Sequence, residues 1–402
     1  MAEPLRYIDS RIRAQSDNLY TKLVHSALTA GDAKEDREIA HERAMRLAEK
    51  VQGSQLAMAY TKHTFNYRDP ILNLRLGTMD LPNPSGLAAG FDKNARIPTF
   101  LGEGLGFGLV TVGSVAKFAY SGNERPRIFD LPNNDGLINR MGFPGDGVEE
   151  AKRRLDNLPK KRGYGLVISV AASRPSFDRG HQLEDYGIAY HNMLPYGDAY
   201  EINVSSPNTP GVRGLQEPEA FRDLVQKIEG FRSTSVFDAK KPVIYKFGPD
   251  LSKEQLEKNL TIAKDNGADA VTLTNTSTDP ELRKSLVPDQ HKEEVGGMSG
   301  AFLREKALEA THNAYLFMGD ELPILRAGGV NGSDPESLWE ALTYGGAIVA
   351  QSYASFVRPT TSTPNFVLYG LRGLADAMRR SGMTSMDDFK ELRGKQVPFP
   401  SK

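Results

Sequence analysis

Eight short runs of apolar, largely β-branched residues, separated by stretches of helical length, constrain this 402-residue chain more than any other feature. They fall at 85–90, 109–115, 166–171, 199–205, 242–247, 270–275, 323–329 and 347–353. Their apolar character is continuous rather than alternating, which is the pattern of strands buried on both faces in a parallel sheet. Eight such strands with intervening helices make a closed (β/α)8 barrel, a unit of roughly 250 residues before insertions. A doubly wound open sheet is the other architecture compatible with the pattern. The division that follows is an N-terminal helical extension over 1–65 and a barrel over 66–402.

Barrel active sites lie at the C-terminal ends of the strands, so polar residues should collect there. The first run ends in Gly90-Phe91-Asp92-Lys93, the second in Gly113-Ser114 and the fifth in Lys246. The sixth ends in Thr274-Asn275-Thr276, the seventh in Gly328-Gly329 and the eighth in Tyr353. Densest of all is the fourth, where Asn203, Ser205, Ser206 and Asn208 crowd the passage from strand into a Pro-Asn-Thr-Pro-Gly loop. Asn and Ser beside Pro also build ordinary side-chain-capped turns. Their repetition at one strand end after another is harder to explain as packing, and amide side chains, which donate and accept at once, suit a planar polar ligand.

Composition narrows the chemistry. With 39% hydrophobic and 25% charged residues the chain can bury a globular core, and a net charge of −1 supplies no electrostatic reason to expect nucleic acid. There is no cysteine, which excludes disulfides, a cysteine nucleophile and cysteine-ligated iron–sulfur clusters within these residues. The seven histidines show no HExxH spacing, so no metal site is expected. No run of about 18 apolar residues is present to span a bilayer, and the first residues carry no apolar signal segment.

Ahead of the barrel, residues 18–51 read as two helices. Leu19, Tyr20, Leu23, Val24, Ala27 and Leu28 form one stripe at helical spacing. A second helix over 35–51 would turn Ile39, Ala40, Ala44, Leu47, Ala48 and Val51 to one side, with Gly31-Asp32 as the stop and start between them. A helical hairpin packed on the barrel and a membrane-surface element admitting a lipophilic molecule are both compatible with this pattern. The stretch 280–297 is long enough to be a mobile cover for the strand ends or a solvated surface insertion.

With those residues assembled, the chain resembles the dihydroorotate dehydrogenases, in particular their quinone-dependent class 2. The resemblance runs from about residue 70 to the C-terminus through GLAAGFDKN (86–94), GSV (113–115), NERPRIFDLP (123–132), LINRMGF (137–143), NVSSPNTPGVRGLQ (203–216), YKFGPDL (245–251), TNTS (274–277), EVGGMSG (294–300) and AGGV (327–330), with a weaker echo at Ile39-Ala40-His41. It implies FMN-dependent oxidation of (S)-dihydroorotate to orotate in pyrimidine biosynthesis with a quinone as electron acceptor. An FMN barrel acting on a related pyrimidine, one using a soluble acceptor, and a flavin-binding homologue without turnover are the other readings. Peripheral contact with the cytoplasmic face of the cell membrane, or a cytoplasmic location, goes with the first.

The resemblance also implies roles. Ser206 would be the base that removes the C5 proton; a serine hydroxyl is intrinsically too weak a base for this unless its own proton leaves along a relay. Asn139, Asn203, Asn208, Asn275 and Thr276 would hold the pyrimidine, with Arg140, Met141, Gly142 and Phe143 of the LINRMGF segment beside them and Lys93 supplying charge near carboxylate and flavin. Lys246 would contact the flavin as a fixed cation. Ala89, Gly90, Ser114, Ser169, Asn203 and Thr274 would complete the ring site. Gly300, Gly328, Gly329, Tyr353 and Ala354 belong to the phosphate end, where barrels commonly bind phosphate after strands seven and eight. The chain departs from the family pattern at Ser169, where asparagine is usual, at Ala354, where a hydroxyl residue is common, and at Asp130, where class 2 members commonly carry arginine.

Overall fold

The computed structural model describes residue 17 and residues 28–34, 36–131, 135–234, 241–357 and 363–400. Thirteen strands occur among them. A hairpin, β1 (Leu74–Leu76) and β2 (Met79–Leu81), precedes β3 (Ser85–Leu87) and β4 (Leu109–Val115); then come β5 (Ile128–Leu131), β6 (Gly136–Asn139), β7 (Gly165–Val170), β8 (Ala199–Asn203), β9 (Val243–Phe247), β10 (Ala270–Leu273), β11 (Gly297–Gly300), β12 (Ile324–Ala327) and β13 (Val349–Ser352). β3, β4, β7, β8, β9, β10, β12 and β13 close in that order into a parallel barrel, which excludes the open doubly wound sheet. Each of the eight apolar runs contains most or all of one barrel strand.

The α-helices of eight residues or more among the described residues are α1 (Arg37–Gln52), α2 (Gln55–Phe65), α3 (Gly147–Leu155), α4 (Gln182–Met193), α5 (Pro218–Ser233), α6 (Lys253–Asp265), α7 (Arg304–Met318), α8 (Pro335–Leu342) and α9 (Phe366–Arg380). From α3 onward they alternate with barrel strands and cover the barrel's outer face; a short π-helical turn, Phe100–Gly104, takes the place after β3. The β1–β2 hairpin plugs the opposite end from the strand termini. Its Leu76, Met79 and Leu81 pack on Leu109, Val167 and Ile244, so the barrel floor is apolar.

At the N-terminus the first expected helix lies outside the described residues, apart from its last position, Leu28. The second exists as α1, begun by Asp36, whose carboxylate accepts from the Glu38 N–H at 2.9 Å. Its inward face differs from the expected stripe. Glu38, Met45 and Ala48 are buried while Leu47 is exposed. The cause is ionic: Glu38 takes a paired contact from the buried Arg127, at 2.7 Å from Nε and 3.0 Å from the second nitrogen, and Glu42 and Glu49 both grip Arg96. These long-range pairs, rather than the aliphatic stripe, set the rotation of α1. α2, capped by Ser54, has no counterpart in the sequence reading, and its Leu56 and Tyr60 are 83% and 66% exposed.

Above the strand ends stands a small antiparallel sheet in the order β11–β6–β5. It accounts for the stretch 280–297, which is folded: a helix, Pro280–Leu286, leads through a turn into β11, whose Gly297 is in register with Asn139 of β6. Among the described residues no helix is long and apolar enough to cross a membrane.

Candidate active site

A cavity of about 220 Å³ opens at the C-terminal end of the barrel, between the strand ends and the β11–β6–β5 sheet. Ser206, Lys93, Asn139, Met141, Gly142, Phe143, Asn203, Asn208, Asn275 and Thr276 line it, as do Ala89, Gly90, Ser114, Lys246, Thr274, Gly300, Gly328, Gly329, Tyr353 and Ala354. Two of the candidates named from the sequence stand outside the wall. Arg140 follows Asn139 at the end of β6 and points the other way: it pairs with Glu294, donates to the Pro126 carbonyl at 2.8 Å and lies 4.9 Å over the Phe129 ring. Ser169 is fully buried behind the wall, with its Oγ 3.1 Å from that of Ser114.

The asparagines form two hydrogen-bonded pairs, Asn208 with Asn139 and Asn275 with Asn203. Asn208 donates to Asn139 Oδ1 at 2.8 Å and accepts from the Gly297 N–H at 3.3 Å, tying the loop after β8 to β6 and β11. Asn203 donates to Ser114 Oγ at 3.1 Å, and Asn275 donates to Ser205 Oγ at 2.9 Å. Adjacent serines diverge here. Ser205 is wholly buried and bound to Asn203, whereas the Ser206 hydroxyl faces the cavity and accepts from the Asn208 N–H at 3.3 Å. An acceptor role to a backbone donor leaves the hydroxyl proton free to point elsewhere.

Lys93 is carried by a loop locked from beneath by Asp92, whose buried carboxyl accepts from the N–H groups of Arg96 and Ile97, both at 2.8 Å. Burial pushes the Lys93 ammonium down to about 8, partly countered by Glu38 of α1. Burial, followed by the charge of Lys93, pushes His41 of α1 down to about 3, so its imidazole is neutral; its ring meets Phe91 edge-on at 5.0 Å. A second cavity of about 620 Å³ lies between α1 and the barrel and shares Lys93 and Pro144 with the first. The reversed charge at Asp130 is neutralised in place by an ion pair to Arg37 of α1.

Two observations bear on what the first cavity accepts. The hydroxyls of Thr274, Thr276 and Ser299 line it, buried and without a hydrogen-bond partner among the described residues. Polar groups in that condition cost free energy unless a ligand or water meets them. At the far end, Gly328 and Gly329 have φ of 96° and 68°, and a Cβ on Gly329 would come within 2.4 Å of the Arg304 backbone. Only glycine permits that turn, and it leaves bare backbone facing the cavity. Ser299, Gln351, Asn331 and Ser355 also line the wall and were not singled out from the sequence; Ser299 lies within EVGGMSG, but the other three carry no local signal.

Fold and site together define a (β/α)8 barrel with a ligand site of enzyme type at the C-terminal ends of its strands, where amides, hydroxyls and two lysines stand among small and apolar residues. A family model described as dihydroorotate dehydrogenase matches residues 71–369. A Natronomonas pharaonis protein named dihydroorotate dehydrogenase (quinone) is 34% identical over 353 residues, covering 88% of this chain and 94% of the relative. One of the same name from Brucella ovis is 32% identical over 330 residues, covering 82% and 87%. The crystal structure of Eimeria tenella DHODH in complex with ferulenol superposes with a TM-score of 0.76 at 25% identity over 88% of this chain and 94% of that one. The chain belongs to the dihydroorotate dehydrogenase family.

Proposed function

We propose that this protein oxidises (S)-dihydroorotate to orotate in pyrimidine biosynthesis, with FMN as its flavin and a quinone as electron acceptor. One observation carries the reading: a cavity at the barrel mouth whose wall presents Asn139, Asn203, Asn208 and Asn275, a free-facing Ser206 hydroxyl and Lys93 and Lys246. The family is flavin-dependent, and the orphaned hydroxyls and the diglycine turn fit a flavin with a phosphate tail. Ala89, Gly90, Ser114, Lys246 and Thr274 would hold the ring, with Ser169 supporting Ser114 from behind. Gly300, Gly328, Gly329, Tyr353 and Ala354 would surround the phosphate.

The flavin, when bound, supplies the hydride acceptor for C6 of the substrate. The residues of the chain do the rest. Asn139, Asn203, Asn208, Asn275 and Thr276 orient the pyrimidine by paired donors and acceptors, and Lys93 attracts its carboxylate. Ser206 takes the C5 proton, its own proton leaving by a relay, and the β11–β6–β5 sheet above it excludes bulk water. Met141, Gly142 and Phe143 close the side of the site, while Arg140 holds Glu294 and so steadies the segment leading into β11.

The names of the relatives support a quinone acceptor, and the second cavity, which meets the first at Lys93 and Pro144, gives an electron acceptor room to approach. The exposed Leu56 and Tyr60 of α2 suit peripheral contact with a membrane surface. The ionic lining of the second cavity favours a second reading of the acceptor alone, a soluble polar one. The test is anaerobic: dihydroorotate should bleach the purified protein's flavin absorbance, and added quinone should restore it. A flavin that stays coloured with dihydroorotate would remove the reading; recovery with a soluble acceptor only would replace the quinone.

A further inference from the structure

Along three adjacent barrel strands the inward face changes character two residues from the floor: Ala199 gives way to Glu201, Ile244 to Lys246 and Ala270 to Thr272. Glu201 is 1% exposed and Lys246 4%. One Glu201 oxygen accepts from Thr272 Oγ1 at 2.8 Å. The other lies 3.6 Å from the Lys246 ammonium and has no hydrogen-bond partner among the described residues. Lys246 lines the cavity and Glu201 does not, so the carboxylate stands directly behind the cation as seen from the ligand.

A carboxylate in a barrel core costs several kcal/mol in desolvation, and only an opposite charge held close offsets it. Apolar side chains already fill the layer below, so packing gives no reason for an acid at this position. We propose that Glu201 is a positioning residue: it anchors the Lys246 ammonium at the cavity floor and compensates its charge, so that the Glu201–Lys246 pair, rather than a free lysine, sets how strongly the site favours negative charge on the bound ring. This rests on the flavin reading above. Thr272 orients the carboxylate; Lys246 is in register with Thr272 and Asn203, while Glu201 stands two residues further back on β8, opposite Ile244, which sets it behind the ammonium.

Sulfite titration of the holoenzyme measures the relevant property, because the adduct places negative charge on the oxidised flavin and bleaches it without turnover. Glu201→Gln should tighten sulfite binding about tenfold by leaving the lysine uncompensated, Lys246→Gln should weaken it, and Glu201→Asp should return it toward the wild-type value. In a Lys246→Gln background the Glu201→Gln effect should largely vanish. An unchanged sulfite affinity in Glu201→Gln overturns the proposal, as does an effect of equal size with and without Lys246. If Glu201→Gln does not fold, Thr272→Val, which strips the carboxylate of its hydroxyl donor, carries the test, and an unaltered affinity there is equally fatal. Wild-type protein that holds no flavin would instead overturn the proposed function, a result distinct from a flavin-loaded enzyme that dihydroorotate bleaches but in which Glu201 is silent.

Discussion

The Asn208 side chain donates to Asn139 Oδ1 at 2.8 Å across 69 residues of sequence, and through that bond the loop after β8 becomes one wall with β6. Neither amide is free to turn. Asn139 also donates to the Gly297 carbonyl at 3.3 Å and Asn208 accepts from the Gly297 N–H, so the donor and acceptor ends of both side chains are assigned by the fold before any ligand arrives. Pre-set polarity of this kind spares the ligand the cost of ordering its partners.

Ser206→Ala removes the hydroxyl that faces the cavity while leaving Ser205 to hold Asn203 and Asn275. Flavin reduction by dihydroorotate, followed by anaerobic stopped flow, should slow by about 10²- to 10⁴-fold, the usual worth of a positioned general base. Thermal stability should stay near wild type. An unaltered reduction rate would dismiss Ser206 as the base.

Lys93 titrates near 8 in the folded protein. In the role proposed for Lys93 the charged form attracts the substrate carboxylate, so dihydroorotate affinity should be full below that pH and weaken as pH rises through it. Lys93→Gln should bind weakly at every pH and lose this step. Equilibrium binding of orotate from pH 6 to about 10 measures both; a step that survives in the variant belongs to another group.

Burial and the charge of Lys93 hold the His41 imidazole at about 3, well below its ordinary value of 6.5. As pH falls below about 6.5 the unfolded chain takes a proton that the folded chain refuses, so stability is lost on acidification at up to about 1.4 kcal/mol per pH unit. Glu42 and Glu49 are held below the usual carboxylate range while burial raises Asp92, so the difference between wild type and a His41 variant, rather than the window alone, isolates this group. His41→Leu should flatten the dependence in urea denaturation, and an identical slope in both proteins would assign it elsewhere.

Glu38→Gln leaves Arg127, which is 4% exposed, without its charged partner. Breaking a buried pair from one side costs about 3–5 kcal/mol. Because Glu38 belongs to α1, the loss should appear first as proteolytic cleavage ahead of the barrel and then as a lowered unfolding midpoint. Wild-type resistance to protease would show that α1 is held without the Glu38–Arg127 pair.

Much of this architecture was legible in the residues alone. Barrel strands are buried on both sides, so their continuous apolar runs announce them locally, and the polar ends of those runs mark the mouth because strand direction fixes which end faces the site. Ser206, Lys93 and the four asparagines could be found this way, since each sits at a strand end or in a segment with a recognisable motif. Local pattern placed α1 as well, to within two residues at its start.

What only the tertiary structure decided are the relations between distant segments. The choice of Glu38 and Met45 over Leu47 as the inward face of α1 was made by Arg127 and Arg96, which no helical periodicity can foresee. The β11–β6–β5 sheet joins residues 158 apart, Arg140 turns away where Asn139 turns in, and Glu201 meets Lys246 only because β8 and β9 are neighbours in the closed barrel. Periodicity is a property of residues adjacent in the chain; an ion pair or a shared wall depends on which strands the barrel brings side by side.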